Sequence, residues 1–153
     1  MAKSIVCGVD GSADSQAALA VAARMADQLG ARLVLANVVE YAHSPYVTAG
    51  SFGLAPAPRP LTATLDEQLG AGERLLETMA EQAGLEQAER RVVTGFAAER
   101  LADLADEEDA DLIVVGSRGR GAFKAAFLGS VSTSLIGVAR RPVLVVPPGA
   151  NAS

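Results

Sequence analysis

The sequence predicts an α/β protein in which a parallel β-sheet carries helices on both faces. Short apolar runs alternate with segments whose apolar residues recur at helical spacing, and this alternation is typical of such a sheet. Half of the 153 residues are apolar and only 4% are aromatic, which suits a core of Val, Leu, Ala and Ile. The length fits one domain, so we expect residues 1–153 to form a single unit.

The first third of the chain predicts a strand, a helix and a second strand. The apolar run Ser4–Val9 indicates a buried strand, and Ser12 is the expected N-cap of the helix that follows, with Asp14 in its first turn. Gly30 is the expected stop of this helix, and Arg32–Val39 indicates the second strand. The apolar positions at helical spacing are Ala18, Val21, Ala22, Met25 and Leu29.

Residues 41–64 change character and predict a long mobile loop. This segment holds four of the seven prolines, two glycines and almost no charge. The only histidine, His43, lies in this loop, so we expect it at the loop surface. A second helix is expected to follow and to end at Gly84. Its predicted buried face comprises Leu65, Leu69, Gly72, Leu76, Met79 and Ala83.

The second half of the chain predicts three strands and two helices. Arg91–Thr94 and Asp111–Val115 indicate the third and fourth strands, with a helix over Ala97–Glu107 between them. A helix over Val131–Ala139 is expected to stop at a proline, and Val143–Val146 indicates the fifth strand. The predicted buried face of the first of these helices comprises Leu101, Leu104 and Ala105.

Charge and cysteine content exclude several classes of function. A net charge of −5 and a pI near 4.8 argue against a nucleic-acid partner, which normally requires a basic surface. Cys7 is the only cysteine, so neither an internal disulfide nor a cysteine-based metal site is expected, and its place in a strand predicts inert core. No signal-peptide pattern or membrane-length apolar run is present, so we expect a cytoplasmic protein without a membrane span. The acidic cluster is expected to be a solvated helix end rather than a metal site; it comprises Asp106, Glu107, Glu108, Asp109 and Asp111.

A glycine-rich segment follows the fourth predicted strand, where a ligand is expected. In an open parallel sheet, ligands bind outside the carboxyl ends of the strands, at the point where the strand order reverses, and the first and fourth strands commonly flank that point. Glycine is costly where it is not required, so such a cluster indicates backbone that approaches something closely. The glycines are Gly116, Gly119, Gly121 and Gly129.

The composition of this segment suits a phosphate chain. Backbone N–H groups without intervening side chains can form an anion-binding concavity, and the helix that begins at Gly129-Ser130 adds its positive N-terminus. Ser130 and Ser132 provide hydroxyl groups in its first turn. Three cations lie close by in an otherwise acidic protein; they are Arg118, Arg120 and Lys124.

Two better-known phosphate loops do not fit. The Walker A loop requires a Gly-Lys pair before Ser or Thr, and the chain contains no such pair. The dinucleotide fingerprint requires a third glycine after Gly119 and Gly121, where Lys124 stands, and it should follow the first strand instead of the fourth.

The remaining pattern, Gly116-x2-Gly119-x9-Gly129-Ser130, resembles the ATP-binding signature of the universal stress protein family. The strand that ends in Val9-Asp10-Gly11-Ser12 resembles the first motif of that family, and the segment LVLANVVE resembles its second strand. The segments DLIVVGSRG and RRPVLVVP resemble its closing elements. The resemblance therefore covers nearly the whole chain. It implies a three-layer, adenine nucleotide α-hydrolase-like sandwich with a five-stranded parallel sheet in the order 3-2-1-4-5. It also implies a homodimer that pairs through Val143–Val146.

The resemblance implies a role for each matching residue. Asp10 would contact ribose or a phosphate-bound Mg²⁺ or Mn²⁺ ion beside Gly8 and Val9, and the Val38 backbone would bind the adenine edge. Some nucleotide-binding members have proline where this chain has Gly8, and glycine should leave room for the nucleotide. The residues that would wrap ribose and phosphates are Gly116, Ser117, Arg118, Gly119, Arg120, Gly121 and Ala122, and those at the phosphate end are Gly129, Ser130, Val131 and Ser132.

Plainer interpretations remain open at each of these positions. The segment 116–119 could be an ordinary tight turn, Asp10 a turn former and the three cations solvated surface charges. At the level of function, a nucleotide-dependent regulator or stress-response dimer is the first hypothesis. A slow metal-dependent ATPase that uses Asp10 is the second, and a nucleotide-free interaction dimer is the third. The sequence does not distinguish among ATP, ADP, AMP and cyclic nucleotides as the ligand. It identifies neither a protein partner nor the stress to which the protein responds.

Overall fold

The structure, a computed structural model, describes residues 3–40, 64–118 and 128–150. These residues form five strands and four helices that alternate in the predicted manner. The strands are β1 (Ser4–Gly8), β2 (Arg32–Val39), β3 (Glu89–Thr94), β4 (Leu112–Gly116) and β5 (Val143–Val146); the helices are α1 (Ala13–Leu29), α2 (Leu65–Gln82), α3 (Ala97–Glu107) and α4 (Ser130–Val138).

The strands form one parallel sheet in the order β3-β2-β1-β4-β5, which confirms the predicted topology. Cys7, in the central strand β1, lies opposite Leu35 of β2 and Val114 of β4. The strand order reverses between β1 and β4, so the carboxyl ends of these two strands flank the crevice in which α/β sheets bind ligands.

Alternate residues of each strand supply the two halves of the core. Ile5 and Cys7 pack with α1 and α2 on one face of the sheet, whereas Val6 packs with α3 and α4 on the other. The sheet is thus covered on both faces, as the apolar strands predicted. The buried residues of α3 include all three that the sequence indicated; they are Ala98, Leu101, Ala102, Leu104 and Ala105.

Local capping signals define the ends of α1 and α2. The Ser12 side chain accepts a hydrogen bond from the Ser15 N–H, and Gly30 adopts the left-handed conformation with φ 61°, so both predicted ends of α1 are confirmed. Thr64 and Glu67 form a reciprocal capping box at the start of α2. This helix ends at Gln82, and the predicted stop, Gly84, follows the C-cap in the left-handed conformation with φ 66°. Its predicted face is buried at Gly72, Leu76 and Met79, but Ala83 is exposed.

Strand β3 begins two residues earlier than the sequence indicated. The prediction placed it over Arg91–Thr94, whereas the strand runs from Glu89 to Thr94. The added positions, Glu89 and Arg90, carry charged side chains on an edge strand, which pairs on one side only and does not require an apolar run.

The acidic cluster after α3 is engaged in ion pairs, so its description as a merely solvated helix end was incomplete. Glu108 contacts Arg32 at 2.7 Å and Arg91 at 3.2 Å, and so connects the end of α3 to β2 and β3. Asp106 accepts hydrogen bonds from Arg140 and Arg141. The hydrogen bond from Arg141 is the main cause of a lowered pKa of the Asp106 carboxyl group.

Three expectations fall on residues outside the described ranges. They concern the mobile loop, described only at Thr64, the surface position of His43, and the glycine-rich segment after Arg118. None of the helices in the described part of the chain combines the length and apolar character that a membrane span requires.

Candidate functional site: a cleft at the carboxyl ends of β1 and β4

A cleft with a cavity volume of about 100 Å³ opens at the carboxyl ends of the central strands. Its position is the crevice that the strand order predicts. The lining residues come from six of the nine elements and from the turns after β1 and β4. They are Gly8, Val9, Asp10, Ser15, Ala36, Asn37, Val38, Ala97, Leu101, Val115, Gly116, Arg118 and Val131.

The β1 side of the cleft is held by hydrogen bonds to β2. The Val9 N–H donates to the Ala36 carbonyl oxygen at 2.8 Å, and the Asn37 side-chain amide donates to the Val9 carbonyl oxygen at 2.8 Å. The Asp10 Oδ1 atom accepts from the Ser12 N–H at 2.9 Å, so Asp10 forms the turn into α1 as well as lining the cleft. The interpretation of Asp10 as a turn former is confirmed, and its contact with a ligand stays a prediction.

Gly8 and Val38 complete this side. A Cβ atom at Gly8 would lie 3.1 Å from a Leu101 methyl group and 3.2 Å from Val115, so glycine here permits α3 and β4 to approach the cleft floor closely. Val38 lies near the carboxyl end of β2, in register with Val93 of β3, and lines the cleft. The adenine contact expected of its backbone stays a prediction.

The β4 side of the cleft begins at Gly116, which packs directly on the first turn of α1. A Cβ atom at this position would lie 2.7 Å from the carbonyl carbon and 2.8 Å from the carbonyl oxygen of Asp14. The first glycine of the signature is therefore required by close packing of a helix on a strand. Its contact with a nucleotide stays a prediction.

The next two residues are anchored to the same turn of α1 by one carboxylate oxygen. Asp14 Oδ2 accepts hydrogen bonds from the Ser117 hydroxyl at 3.1 Å, the Arg118 backbone N–H at 3.1 Å and Arg118 Nε at 3.2 Å. Asp14 and Ser117 are both buried, at 7% exposure each. Arg118 extends from this anchor to line the cleft, which places one cation in it.

The N-terminus of α4 is joined to the end of β4 by two short hydrogen bonds. The Gly129 N–H donates to the Ser117 carbonyl oxygen at 2.6 Å, and the buried Ser132 hydroxyl donates to the Gly116 carbonyl oxygen at 2.7 Å. The single proton of Ser132 is thus occupied by backbone, and its contact with phosphate stays a prediction. Val131 lines the cleft and Ser130 is exposed at the helix start.

The first turn of α4 has backbone donors without a partner inside the helix. Gly129 is the N-cap and carries no side chain, and the first intrahelical bond runs from the Thr133 N–H to the Gly129 carbonyl oxygen. The N–H groups of Ser130, Val131 and Ser132 therefore have no partner within the helix. Together with the positive end of the helix dipole, they favour an anion beside Val131.

The described residues contain part of the predicted phosphate segment. Gly119, Arg120, Gly121 and Ala122 lie outside the described ranges, as does Lys124. The structure brings together Gly8, Val9, Asp10, Val38, Gly116, Arg118 and Val131 as lining residues, and it places Ser117, Gly129, Ser130 and Ser132 directly behind or beside them.

Several lining residues were not identified from the sequence. Asn37 lies inside the second strand, where a polar residue in an apolar run was a usable signal. Ala97 and Leu101 are contributed by α3, and Ser15 by α1. Only the tertiary packing brings these residues to the cleft. Asp14 was noted for the helix dipole, but nothing local indicated its contacts more than 100 residues along the chain.

Asp10 is a candidate ligand for a divalent metal ion at the cleft. Within residues 3–40, 64–118 and 128–150, no three His, Cys, Asp or Glu side chains form a metal-binding group. Asp10 supplies one carboxylate on the cleft, and Mg²⁺ is commonly held by one or two carboxylates plus phosphate oxygens. Asp10 therefore fits a metal ion that arrives with a nucleotide.

These features define an α/β protein with a ligand cleft at the reversal of its strand order. The family model described as the universal stress protein family matches residues 1–147. The chain belongs to the universal stress protein family.

Similar proteins match over nearly their whole length. The chain is 34% identical over 145 residues to universal stress protein Rv1636 of Mycobacterium tuberculosis, covering 94% of this chain and 95% of that protein. It is 33% identical over 150 residues to universal stress protein YxiE of Bacillus subtilis, covering 95% and 99%. A crystal structure of a universal stress protein in complex with cAMP matches with a TM-score of 0.67 and 26% identity, covering 96% and 98% of the two chains.

Proposed function

We propose that this protein binds ATP in the cleft between β1 and β4 and acts as a nucleotide-dependent regulator, or stress-response dimer, in the cytoplasm. The observation that supports this proposal is that anion-binding groups converge on one edge of an acidic protein. Arg118 and the open first turn of α4 approach the cleft from the β4 side, next to the signature glycines.

The two sides of the cleft suit the two halves of a nucleotide. The β2 and α3 side offers apolar surface from Ala36, Val38 and Leu101, which fits a base. The β4 and α4 side offers cationic and N–H groups, which fit phosphate. The solved relative in complex with cAMP supports an adenine nucleotide as the ligand class, and the choice of ATP rests on the signature Gly116-x2-Gly119-x9-Gly129-Ser130.

Mg²⁺ or Mn²⁺ would enter with the nucleotide, held by Asp10 and by phosphate oxygens. Such an ion would neutralise phosphate charge next to a carboxylate that otherwise repels it. The residues of the chain then have separate tasks: Asp10 holds the ion, Arg118 binds phosphate, and the α4 amides bind the phosphate end.

Dimerisation through Val143–Val146 is part of the proposal. Strand β5 is the last strand of the sheet and pairs only with β4, so one of its edges is open within the described structure. Two exposed apolar residues of the preceding helix α4, Ile136 and Val138, lie within a few residues of this strand in sequence. An open edge beside apolar surface favours pairing with a second copy.

Isothermal titration calorimetry and equilibrium dialysis with ATP test the proposal. We expect saturable binding, protection against thermal unfolding, and adenine nucleotide released from the freshly purified protein in mass spectrometry. Arg118→Gln should weaken ATP binding by about tenfold, the worth of a charge-assisted hydrogen bond. Arg90→Gln removes the same charge from exposed edge strand β3 and should leave binding unchanged.

Two outcomes would replace this function by another. No binding at millimolar ATP, with no thermal protection, would leave the nucleotide-free interaction dimer. Steady ATP turnover that is lost in Asp10→Ala, while ATP binding persists, would assign the slow metal-dependent ATPase instead.

A further inference from the structure

A buried carboxylate lies directly behind the cation of the candidate phosphate site. Asp14 has only 9% of its side chain exposed, and its Oδ2 atom accepts three hydrogen bonds from Ser117 and Arg118. Two of the three come from Arg118, one from its backbone and one from its guanidinium group. A single oxygen atom thus fixes both the main chain and the side chain of that residue.

An acidic side chain such as that of Asp14 repels phosphate and is therefore unsuited to direct contact with it. Asp14 is absent from the residues that line the cleft, whereas Arg118 lines it. Asp14 instead holds Arg118 at its backbone N–H and at Nε. It can therefore act on a ligand in the cleft through Arg118.

Asp14 holds the guanidinium group of Arg118 at Nε, and this determines which of its N–H groups stay available to a ligand. Nε donates to Asp14 at 3.2 Å, and within the described ranges Nη1 and Nη2 donate to no other group. A guanidinium group held at Nε keeps its outer edge of N–H groups available, and that edge is suited to paired phosphate oxygens. Because Asp14 already restricts the long Arg118 side chain, binding of the ligand does not incur the entropy cost of ordering it.

We propose that Asp14 is a positioning residue for phosphate recognition. It holds the Ser117-Arg118 turn and the Nε side of the Arg118 guanidinium group, so that the outer edge of this group meets phosphate oxygens in the cleft. The inference rests on the proposed nucleotide function. It goes beyond that function because Asp14, a residue outside the binding motif, would help the protein to bind phosphorylated adenosine in preference to unphosphorylated adenosine.

Asp14→Asn tests the proposal, with ATP and adenosine as the two probes. The asparagine oxygen can still accept from the Ser117 hydroxyl but no longer attracts the guanidinium charge. We expect the Kd for ATP to rise about fivefold, which is less than the effect of Arg118→Gln because the guanidinium group itself remains, and the Kd for adenosine to change less than about twofold. Asp27→Asn is the matched control because it removes the same charge from an exposed position of α1, and it should alter neither Kd.

The double variant separates positioning from general damage to the site. If Asp14 acts through Arg118, adding Asp14→Asn to Arg118→Gln should raise the Kd for ATP no further. An equal rise for ATP and adenosine, or a full additional effect in the Arg118→Gln background, would assign Asp14 a purely structural role. Tighter binding of ATP by Asp14→Asn would show that the carboxylate opposes phosphate, and would overturn the proposal as well.

A measurement on the unmodified protein covers the case in which Asp14→Asn does not fold. The Nε–H signal of Arg118 in a ¹H–¹⁵N spectrum, assigned by its loss in Arg118→Gln, should exchange slowly with solvent and shift on addition of ATP but not of adenosine. A signal that ATP leaves unmoved, in a protein that calorimetry shows to bind ATP, overturns the positioning role alone. A protein that binds neither ATP nor adenosine overturns the proposed function itself, and the positioning role with it.

Discussion

Gly116 packs against Asp14 so closely that a Cβ atom on the glycine would lie 2.7 Å from the carbonyl carbon of the aspartate. Backbone of β4 and backbone of α1 meet here without a side chain between them, and the Asp14 side chain then closes over Ser117 and Arg118. The first glycine of the signature thus has a structural cause inside the protein. That cause exists whether or not a nucleotide is bound.

Gly116→Ala should therefore destabilise the ligand-free protein. Neither the Asp14 backbone nor β4 can yield easily, and overpacking of this kind costs about 1–3 kcal/mol. Urea unfolding at neutral pH measures the loss. Gly137→Ala is the control, because a Cβ atom at this exposed position of α4 would meet nothing within 4 Å. Replacing glycine inside a helix should stabilise the protein by about 0.5–1 kcal/mol. Equal stability of Gly116→Ala and the unmodified protein would show that α1 can move away freely.

Ser132→Ala should also lower stability, through a different mechanism. The Ser132 hydroxyl is buried and donates to the Gly116 carbonyl oxygen at 2.7 Å, so its removal leaves that carbonyl without this donor. The expected cost is about 1–3 kcal/mol in the free energy of unfolding. Ser134→Ala removes an exposed hydroxyl from the same helix and should change stability by less than about 0.5 kcal/mol. A loss of nucleotide affinity in Ser132→Ala without loss of stability would instead favour direct contact of the hydroxyl with phosphate.

The sequence predicted those parts of the fold whose causes are local. Ser12 and Gly30 end α1 through contacts with residues no more than four positions away, so their chemistry could be identified without a structure. The strand order followed from the family resemblance. The start of β3 was missed because Glu89 and Arg90 belong to an edge strand, where burial does not impose an apolar pattern.

The location of the site along the backbone could be predicted from the sequence, whereas the side-chain contacts that depend on tertiary packing could not. The carboxyl ends of β1 and β4 and the start of α4 were located from the glycine spacing and the rule for parallel sheets. The contacts of Asp14 with Ser117 and of Asn37 with Val9 are long-range, and no local periodicity encodes them. The same applies to Ser132, whose hydroxyl was assigned to phosphate but donates to Gly116.

Cys7 should make the stability of the protein fall at alkaline pH. Burial raises the pKa of its thiol from 9.0 to about 12, because desolvation disfavours the thiolate. Above pH 9 the unfolded chain loses this proton while the folded chain keeps it until pH approaches 12. The free energy of unfolding should therefore fall by about 1.4 kcal/mol per pH unit in that window from this group. Other groups titrate there too, so the measurement is the difference between the unmodified protein and Cys7→Ala in urea unfolding at several pH values. A difference that stays constant across the window contradicts the prediction.

Val145→Lys tests the proposed dimer. Val145 lies in the middle of β5, in register with Val115 of β4, and its strand is the open edge of the sheet. A lysine there places charge in the interface of two paired strands, where desolvation is costly, so we expect a protein that sediments as a monomer at concentrations where the unmodified protein sediments as a dimer. Gln82→Lys adds the same charge at the exposed end of α2, near the opposite edge of the sheet, and should leave the dimer intact. Because Val145 is also partly buried against α3 and α4, circular dichroism must first show that Val145→Lys remains folded. A folded Val145→Lys protein that still sediments as a dimer would move the interface to another surface.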